Sequence, residues 1–295
     1  MEQTIQTEKT PRKKRRVWKV LLCVLLALVI LMGAIVVGNV IANRSFTTTF
    51  YQITSDKVSD NIRIVELSDL HNNEFGEKNG SLVERIASLH PDLIVYAGDM
   101  MNAGDTDYSV LFDLSDQLSE IAPIYACYGN NELVQALKYD DTFVEQLKAH
   151  NVTFLSNEVL DVEVKNSVIQ FVAVSEDVNQ YDVETNRGKQ CVESLEPTEN
   201  CRICLTHYPE LFLEKLQDKG MDIAFTGHAH GGQIRIPFIG GLYSTGQGFL
   251  PKLTQGVVTM EDGTQVVISR GLGDSSFLPR IHNRPELVVV DICWY

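Results

Sequence analysis

Basic residues are scarce beyond the first nineteen positions of this 295-residue chain. Residues 1–19 hold seven Lys and Arg against Glu2 and Glu8, a net +5. The whole chain carries −14, which leaves −19 for residues 20–295. A surface so short of cations is unsuited to nucleic acid, because phosphate contacts are made by Lys and Arg. A paired CxxC motif is also absent. Cys201-x-x-Cys204 has no second pair, which argues against a zinc ribbon. It sits in the apolar stretch CRICLTH, where a free cysteine behaves as a small buried hydrophobe. A disulfide between Cys191 and Cys201 stays open outside the cytoplasm. No low-complexity tract or internal repeat is found, and the length suits one large domain or two small ones.

One stretch lacks charge altogether. Val20 to Gly38 is an apolar run of 19 residues, which at ~1.5 Å per residue spans roughly a bilayer core. A cleaved signal peptide is the other reading, with Val40-Ile41-Ala42 as a small-residue site. Signal-peptide apolar regions run about 7–15 residues, so the length favours an uncleaved anchor. Arg15-Arg16 is a poor match to a twin-arginine signal. The positive-inside rule puts the basic tail in the cytoplasm and the rest outside. The expected organisation is a basic tail over 1–19, a transmembrane anchor over 20–42, a tether over 43–60 and a folded domain over 61–295.

Within that domain, short apolar runs alternate with amphipathic stretches. Strands are predicted at 62–68, 92–98 and 123–129, with helices at 80–90, 109–121 and 139–150. A hairpin turning at Asn166 follows, then strands at 202–207, 222–228, 263–271 and 285–292. The order βαβαβ followed by many strands predicts an α/β fold with parallel and mixed sheets. Polar residues collect where strands end, the edge at which such sheets bind ligands.

Those strand ends deliver Asp69-Leu70-His71, Gly98-Asp99, Gly129-Asn130-Asn131-Glu132, His207, and then His228 and His230 in TGHAHGGQ. Each residue alone has an ordinary explanation, such as a cap, an Asx turn or a packed imidazole. Four of the seven histidines fall in the set. His90 and His150 close helices, where a cation suits the helix dipole, and His282 lies elsewhere. Oxygen and nitrogen ligands without thiolate suit Mn, Fe or Zn at a hydrolytic two-metal site.

The motifs SDLH, AGD, YGNNE, LTHYPE and TGHAHGGQ, in this order, resemble those of the calcineurin-like metallophosphoesterases over about residues 60–293. The runs GHAHGGQIRIP and SRGLGDSSFLPRIHNRPEL are similar to a membrane-associated branch that includes UDP-2,3-diacylglucosamine hydrolase-type enzymes. The resemblance implies a four-layer α/β/β/α sandwich, here preceded by one transmembrane helix. It implies two divalent metal ions, one on Asp69, His71, Asp99 and His230, the other on Asp99, Asn130, His207 and His228. Asp99 would bridge them, and a hydroxide between the metals would attack phosphorus. Gly231 and Gly232 would bring backbone close to the phosphate. The implied substrate is a phosphodiester or pyrophosphate, with a nucleotide-linked lipid as one candidate.

One departure stands out. The family's Gly-Asn-His-Asp/Glu is here Gly129-Asn130-Asn131-Glu132. The family His contacts the phosphoryl group and is a candidate proton donor to the leaving group. Asn131 offers a hydrogen bond but is no general acid near pH 7. Asn131 keeps open a metal-holding domain without turnover, and phosphomonoesterase or nucleotidase activity is the other competing reading. Arg235, Arg270, Arg280 and Arg284 are either neutralising residues at the cleft or ordinary surface arginines.

Overall fold

The computed structural model describes residues 12–182, 185–274 and 279–294. The chain divides into two units, Met1–Ala42 and Asn43–Tyr295. The first is carried by helix α1 (Arg12–Asn43). Within that helix, Val17–Asn43 is long and apolar enough to cross a membrane, with a mean hydropathy of 3.4.

The second unit opens with β1 (Thr47–Ser55) and β2 (Ile62–Leu67), then α2 (Gly80–Leu89), β3 (Leu93–Tyr96), α3 (Ser109–Ser119) and β4 (Ile124–Cys127). Next come α4 (Asn130–Lys138), α5 (Phe143–Ala149), β5 (Val152–Leu155), β6 (Val159–Val164) and β7 (Ser167–Val174). Then follow α6 (Val178–Tyr181), α7 (Arg187–Glu193), β8 (Cys201–Thr206), α8 (Leu211–Glu214) and β9 (Ile223–Thr226). Two short ribbons pair β10 (Arg235–Ile236) with β11 (Gly240–Gly241), and β12 (Tyr243–Ser244) with β13 (Gly248–Phe249). The last strands are β14 (Gly256–Thr259), β15 (Gln265–Ile268) and β16 (Glu286–Trp294).

Two six-stranded sheets form, ordered β1-β16-β2-β3-β4-β5 and β14-β15-β9-β8-β7-β6. Strands β2 to β5 are mutually parallel, as are β7, β8, β9 and β15. Strand alternation sorts the side chains into layers. Ile62, Ile64, Leu93 and Val95 of the first sheet share a core with Ile203, Leu205, Ile223 and Phe225 of the second. Val65, Leu67, Ile94 and Tyr96 point the other way, onto Leu82 and Ile86 of α2 and Leu111 and Leu114 of α3. Cys204, Ala224 and Val266 face outward onto Val192 of α7 and Phe212 of α8. Both sheets are thus covered on both faces, the α/β/β/α order. This explains why the central strands read as unbroken apolar runs.

Several expectations change. Residues 47–55, read as tether, form an edge strand paired in parallel with β16 over nine residues, from Thr47↔Glu286 to Ser55↔Trp294. The β-branched and aromatic residues of TTTFYQITS suit the pleated, half-buried surface that such pairing needs. Helix α4 was not foreseen. Its signal is Glu132, three residues after Gly129, which accepts the Gly129 N–H at 2.9 Å in the manner of a capping box. All six cysteines are free, so no Cys191–Cys201 bridge forms.

Candidate metal centre

The parallel strands bring their carboxyl ends to one edge. Asp69 and His71 follow β2, Asp99 follows β3, and Asn130 opens α4 after β4. His207 follows β8, while His228 and His230 follow β9. Five of these seven residues (Asp69, His71, Asp99, His228 and His230) have φ between 44° and 64°. Left-handed backbone costs a non-glycine residue roughly 1 kcal/mol or more, and such strain gathers at functional sites.

Two compact donor groups result, Asp69 with His71 and His230, and Asp69 with Asp99 and His207. Within each group the ligand atoms lie within 4.8 Å of one another. His230 Nε2 stands 3.4 Å from Asp69 Oδ1, and His207 Nε2 stands 3.3 Å from Asp99 Oδ2. Asp99 Oδ2 also lies 3.8 Å from His71 Nε2, so both carboxylates face both groups. His228 stands outside the two groups, and Asn130, an amide, lies beside it. They line a neighbouring cavity of roughly 550 Å³ together with Asp99, Tyr208, Glu210 and His230.

The donor set fits divalent cations. Asp69, Asp99 and His207 are at most 2% exposed. The Nε2 atoms of His71 and His207 are buried without a hydrogen-bond partner. Their Nδ1 atoms are occupied, His71 by Asn102 Oδ1 at 3.1 Å and His207 by the Ala97 carbonyl at 2.7 Å. A histidine held through Nδ1–H presents an Nε2 lone pair, the arrangement of a metal ligand. Electrostatics agree with this reading. Burial disfavours charge on His207, but Asp99 and Asp69 outweigh it and raise its pKa to about 10. Burial and the neighbouring His207 lower His228 to about 3. Burial lowers His230 to about 4, with the Arg280 cation adding to the effect. The pull of Asp99 and Asp69 on positive charge at His207 is the pull that a divalent ion held among them would feel.

Other side chains fix these ligands. Glu132 accepts the Asp99 N–H at 2.8 Å and the Met100 N–H at 2.6 Å. Asn131 donates from its backbone to Asp99 Oδ1 at 2.8 Å and from Nδ2 to Asp99 Oδ2 at 2.7 Å. Its Oδ1 accepts the Ala103 N–H at 3.0 Å. Both amide atoms of Asn131 are therefore engaged by protein, which differs from a side chain turned toward a leaving group. Arg280, 2% exposed, places Nη2 3.1 Å from His230 Nδ1. Arg270 binds Glu286, Arg235 donates to the Gly231 carbonyl, and Arg284 donates to Ser45 Oγ. Gly231 and Gly232 also permit close packing within the protein. A Cβ on Gly231 would meet Asn283 Oδ1 at 2.3 Å, and one on Gly232 would meet Gly241 Cα at 2.4 Å.

Four contributors were given no role in the sequence reading. Glu132 had a visible signal in its spacing from Gly129. Asn102 and Asn283, which holds the His230 carbonyl at 2.6 Å, reach in from loops and carry none. Glu210 closes the LTHYPE motif, and its Oε1 lies 3.8 Å from His228 Nε2. Burial raises its pKa to about 7.

Residues 62–232 match the calcineurin-like phosphoesterase family, a span that includes all seven expected ligands. The chain is 26% identical over 240 residues to phosphodiesterase YaeI of Escherichia coli strain K12, covering 78% of this chain and 82% of that protein. It is also 26% identical over 253 residues to the uncharacterised protein YpbG of Bacillus subtilis strain 168, covering 85% and 88%. A buried oxygen and nitrogen donor set at the meeting edge of two sheets is what a metal-assisted attack on phosphorus requires. With more than half its length matched, this chain belongs to the calcineurin-like phosphoesterases and is a metal-dependent phosphoester hydrolase.

Proposed function

We propose that the chain is a membrane-anchored phosphoesterase, with its folded body outside the cytoplasm, that cleaves a phosphodiester or pyrophosphate bond. Asp69, His71, Asp99 and His230 hold one divalent ion, and Asp99, Asn130, His207 and His228 hold the other. Mn, Fe or Zn suits these donors. When bound, the pair supplies charge neutralisation and an activated water. The chain's own residues do the rest. Asn102 and the Ala97 carbonyl aim His71 and His207, and Asn131 fixes both oxygens of Asp99.

The observation that carries the choice of bond is Asn131. Where the family has histidine, this residue has no proton to give near pH 7 and binds Asp99 instead. A nucleotide phosphate leaving from a pyrophosphate, or an aryloxide, departs as a stabilised anion and needs little protonation, whereas an alkoxide needs it whether it leaves a diester or a monoester. The similarity to YaeI of Escherichia coli, a phosphodiesterase, supports the same reading. A nucleotide-linked lipid of the UDP-diacylglucosamine type fits both the anchor and the bond.

The test is a rate series with metal-loaded full-length protein, using aryl phosphodiesters, aryl phosphomonoesters and alkyl esters. The expected result is turnover of diesters with acidic leaving groups, a steep dependence on leaving-group pKa and nearly inert alkyl esters. Faster turnover of monoesters than of matched diesters would overturn the proposal.

A further inference from the structure

We infer that the two ribbons just after His230 form a membrane-docking surface, inserting apolar side chains into the bilayer that α1 crosses. The inference rests on the anchored reading above and extends it from the helix to the body.

Ten large hydrophobic residues are exposed in the second unit among the described residues, and four of them, Phe238, Ile239, Phe249 and Leu250, fall within thirteen positions. Singly exposed apolar residues are ordinary, but a cluster marks an interaction surface. The β10–β11 ribbon pairs Arg235 with Gly241 and Ile236 with Gly240. Pro237, Phe238 and Ile239 are thereby pushed out at its tip, with Phe238 fully exposed. The second ribbon joins the first through Leu242, whose N–H donates to the Ile234 carbonyl at 2.9 Å and whose carbonyl accepts from Leu250 at 2.9 Å.

The occupant follows from where the chain enters this body and from charge. Asn43, the first residue of the unit, donates to the Arg280 carbonyl at 3.0 Å. The next residue, Ile281, accepts from the Arg235 N–H at 2.9 Å and bridges Ile234 at the ribbon's root. The entry point of a chain anchored through residues 17–42 is thus bonded one residue from the root of the ribbon. Three residues from root to tip reach only ~10 Å. Charge agrees with a lipid surface. No Asp or Glu occurs between Asp222 and Glu261, in a segment of an otherwise strongly acidic chain, and the carboxylates beside Phe249 and Leu250 are Glu210 and Glu214 of the neighbouring segment. Exposed Arg44, Lys252 and Arg284 belong to the same neighbourhood by sequence or hydrogen bond, and their long stems can carry the charge to lipid phosphates. Phe and Leu side chains beside cations are typical of segments that lie in the membrane interface.

The ribbons also lead to the metal centre. Their first strand begins three residues after the His230–Gly232 turn, and Thr245 and Gly246 of the second line the cavity that His228 and His230 share. Docking them would bring a lipid-borne phosphoryl group to the site without leaving the bilayer.

The test uses the full chain in vesicles of phosphatidylethanolamine and phosphatidylglycerol carrying brominated acyl chains. Phe238→Trp is made in a Trp18→Phe background, which leaves Trp294 as the other indole. The expected result is an emission blue shift and loss of most of the added fluorescence to the brominated lipids. Emission that is added but unquenched would overturn the inference. A second protein carries Phe238→Ser, Ile239→Ser, Phe249→Ser and Leu250→Ser. Its rate on a soluble aryl phosphodiester should match the parent, while its rate on a vesicle-embedded lipid phosphodiester falls at least roughly tenfold. Equal losses on both substrates, or no loss on either, count against docking. If the parent sediments in detergent as a dimer and the fourfold variant as a monomer, the surface belongs to a second copy and the inference fails. Quenching needs no turnover, so a failure of the hydrolase reading is seen separately from a failure of docking. Carbonate extraction reports the anchor on its own.

Discussion

Asp99 is gripped on every polar atom. Its N–H goes to Glu132, its carbonyl accepts from His71, and its two carboxylate oxygens accept from Asn131. A carboxylate so held stays ionised and oriented. Asp99→Ala is expected to lose both metals, whereas His71→Ala weakens mainly one, as read by metal analysis of the purified proteins. Two tightly bound ions in Asp99→Ala would transfer the bridging role to Asp69, the carboxylate common to both donor groups. Asn131→Ala removes the amide that holds Asp99 Oδ2. Partners of metal ligands are typically worth ~10–100-fold in metal affinity or activity. The same factor should appear for every substrate, with an unchanged slope against leaving-group pKa. A slope that changes would place Asn131 at the leaving group after all.

At the scale of elements, the site depends on close approach between the β3 and β4 ends. Gly98 has φ +85°, and a Cβ there would lie 2.6 Å from both N and Cα of Gly129. Alanine would be strained by its backbone and would push α4 away from Asp99. Gly98→Ala should cost ~3 kcal/mol in chemical denaturation and lower metal content as well. An unaltered denaturation midpoint would mean that the two strand ends separate without penalty. These elements were unevenly legible. The strands at 62, 93 and 124, their helical crossovers and the hairpin at Asn166 were written in periodicity and turn chemistry. Strand β1 was not, because its partner β16 lies at the other end of the chain and its composition is polar. Helix α4 was hidden because its first residues, Asn130 and Asn131, are poor helix formers whose side chains serve the cavity and Asp99.

For the whole molecule, two buried carboxylates at the meeting edge of the sheets make stability depend on cations. Removing metal with a chelator should lower the Tm by about 5–10 °C, from ~2.7 kcal/mol of linkage at a hundredfold excess over Kd. Calorimetry with and without chelator measures it, and an unchanged Tm would mean that the site binds no cation in the folded state. The proposed anchor makes a separate prediction. Protease added to intact cells should remove the 43–295 body and spare the N-terminal tail. A body that resists until lysis would reverse the proposed orientation.

Sequence by itself determined which residues stand at strand ends, because apolar runs stop where Asp69, Asp99, Asn130, His207 and His228 begin. It also determined the uncharged helix, since nineteen residues without charge have few other uses. Tertiary structure decided what those residues meet. Asp69 accepts from His228 across 159 positions, and His207 rests on the Ala97 carbonyl across 110. It turned Asn131 onto Asp99, gave Gly231 and Gly232 to Asn283 and Gly241, and drew residues 47–55 into a sheet. The physical reason is that spacing along a chain reports local periodicity. Contacts between two packed sheets arise from a register that no short stretch encodes.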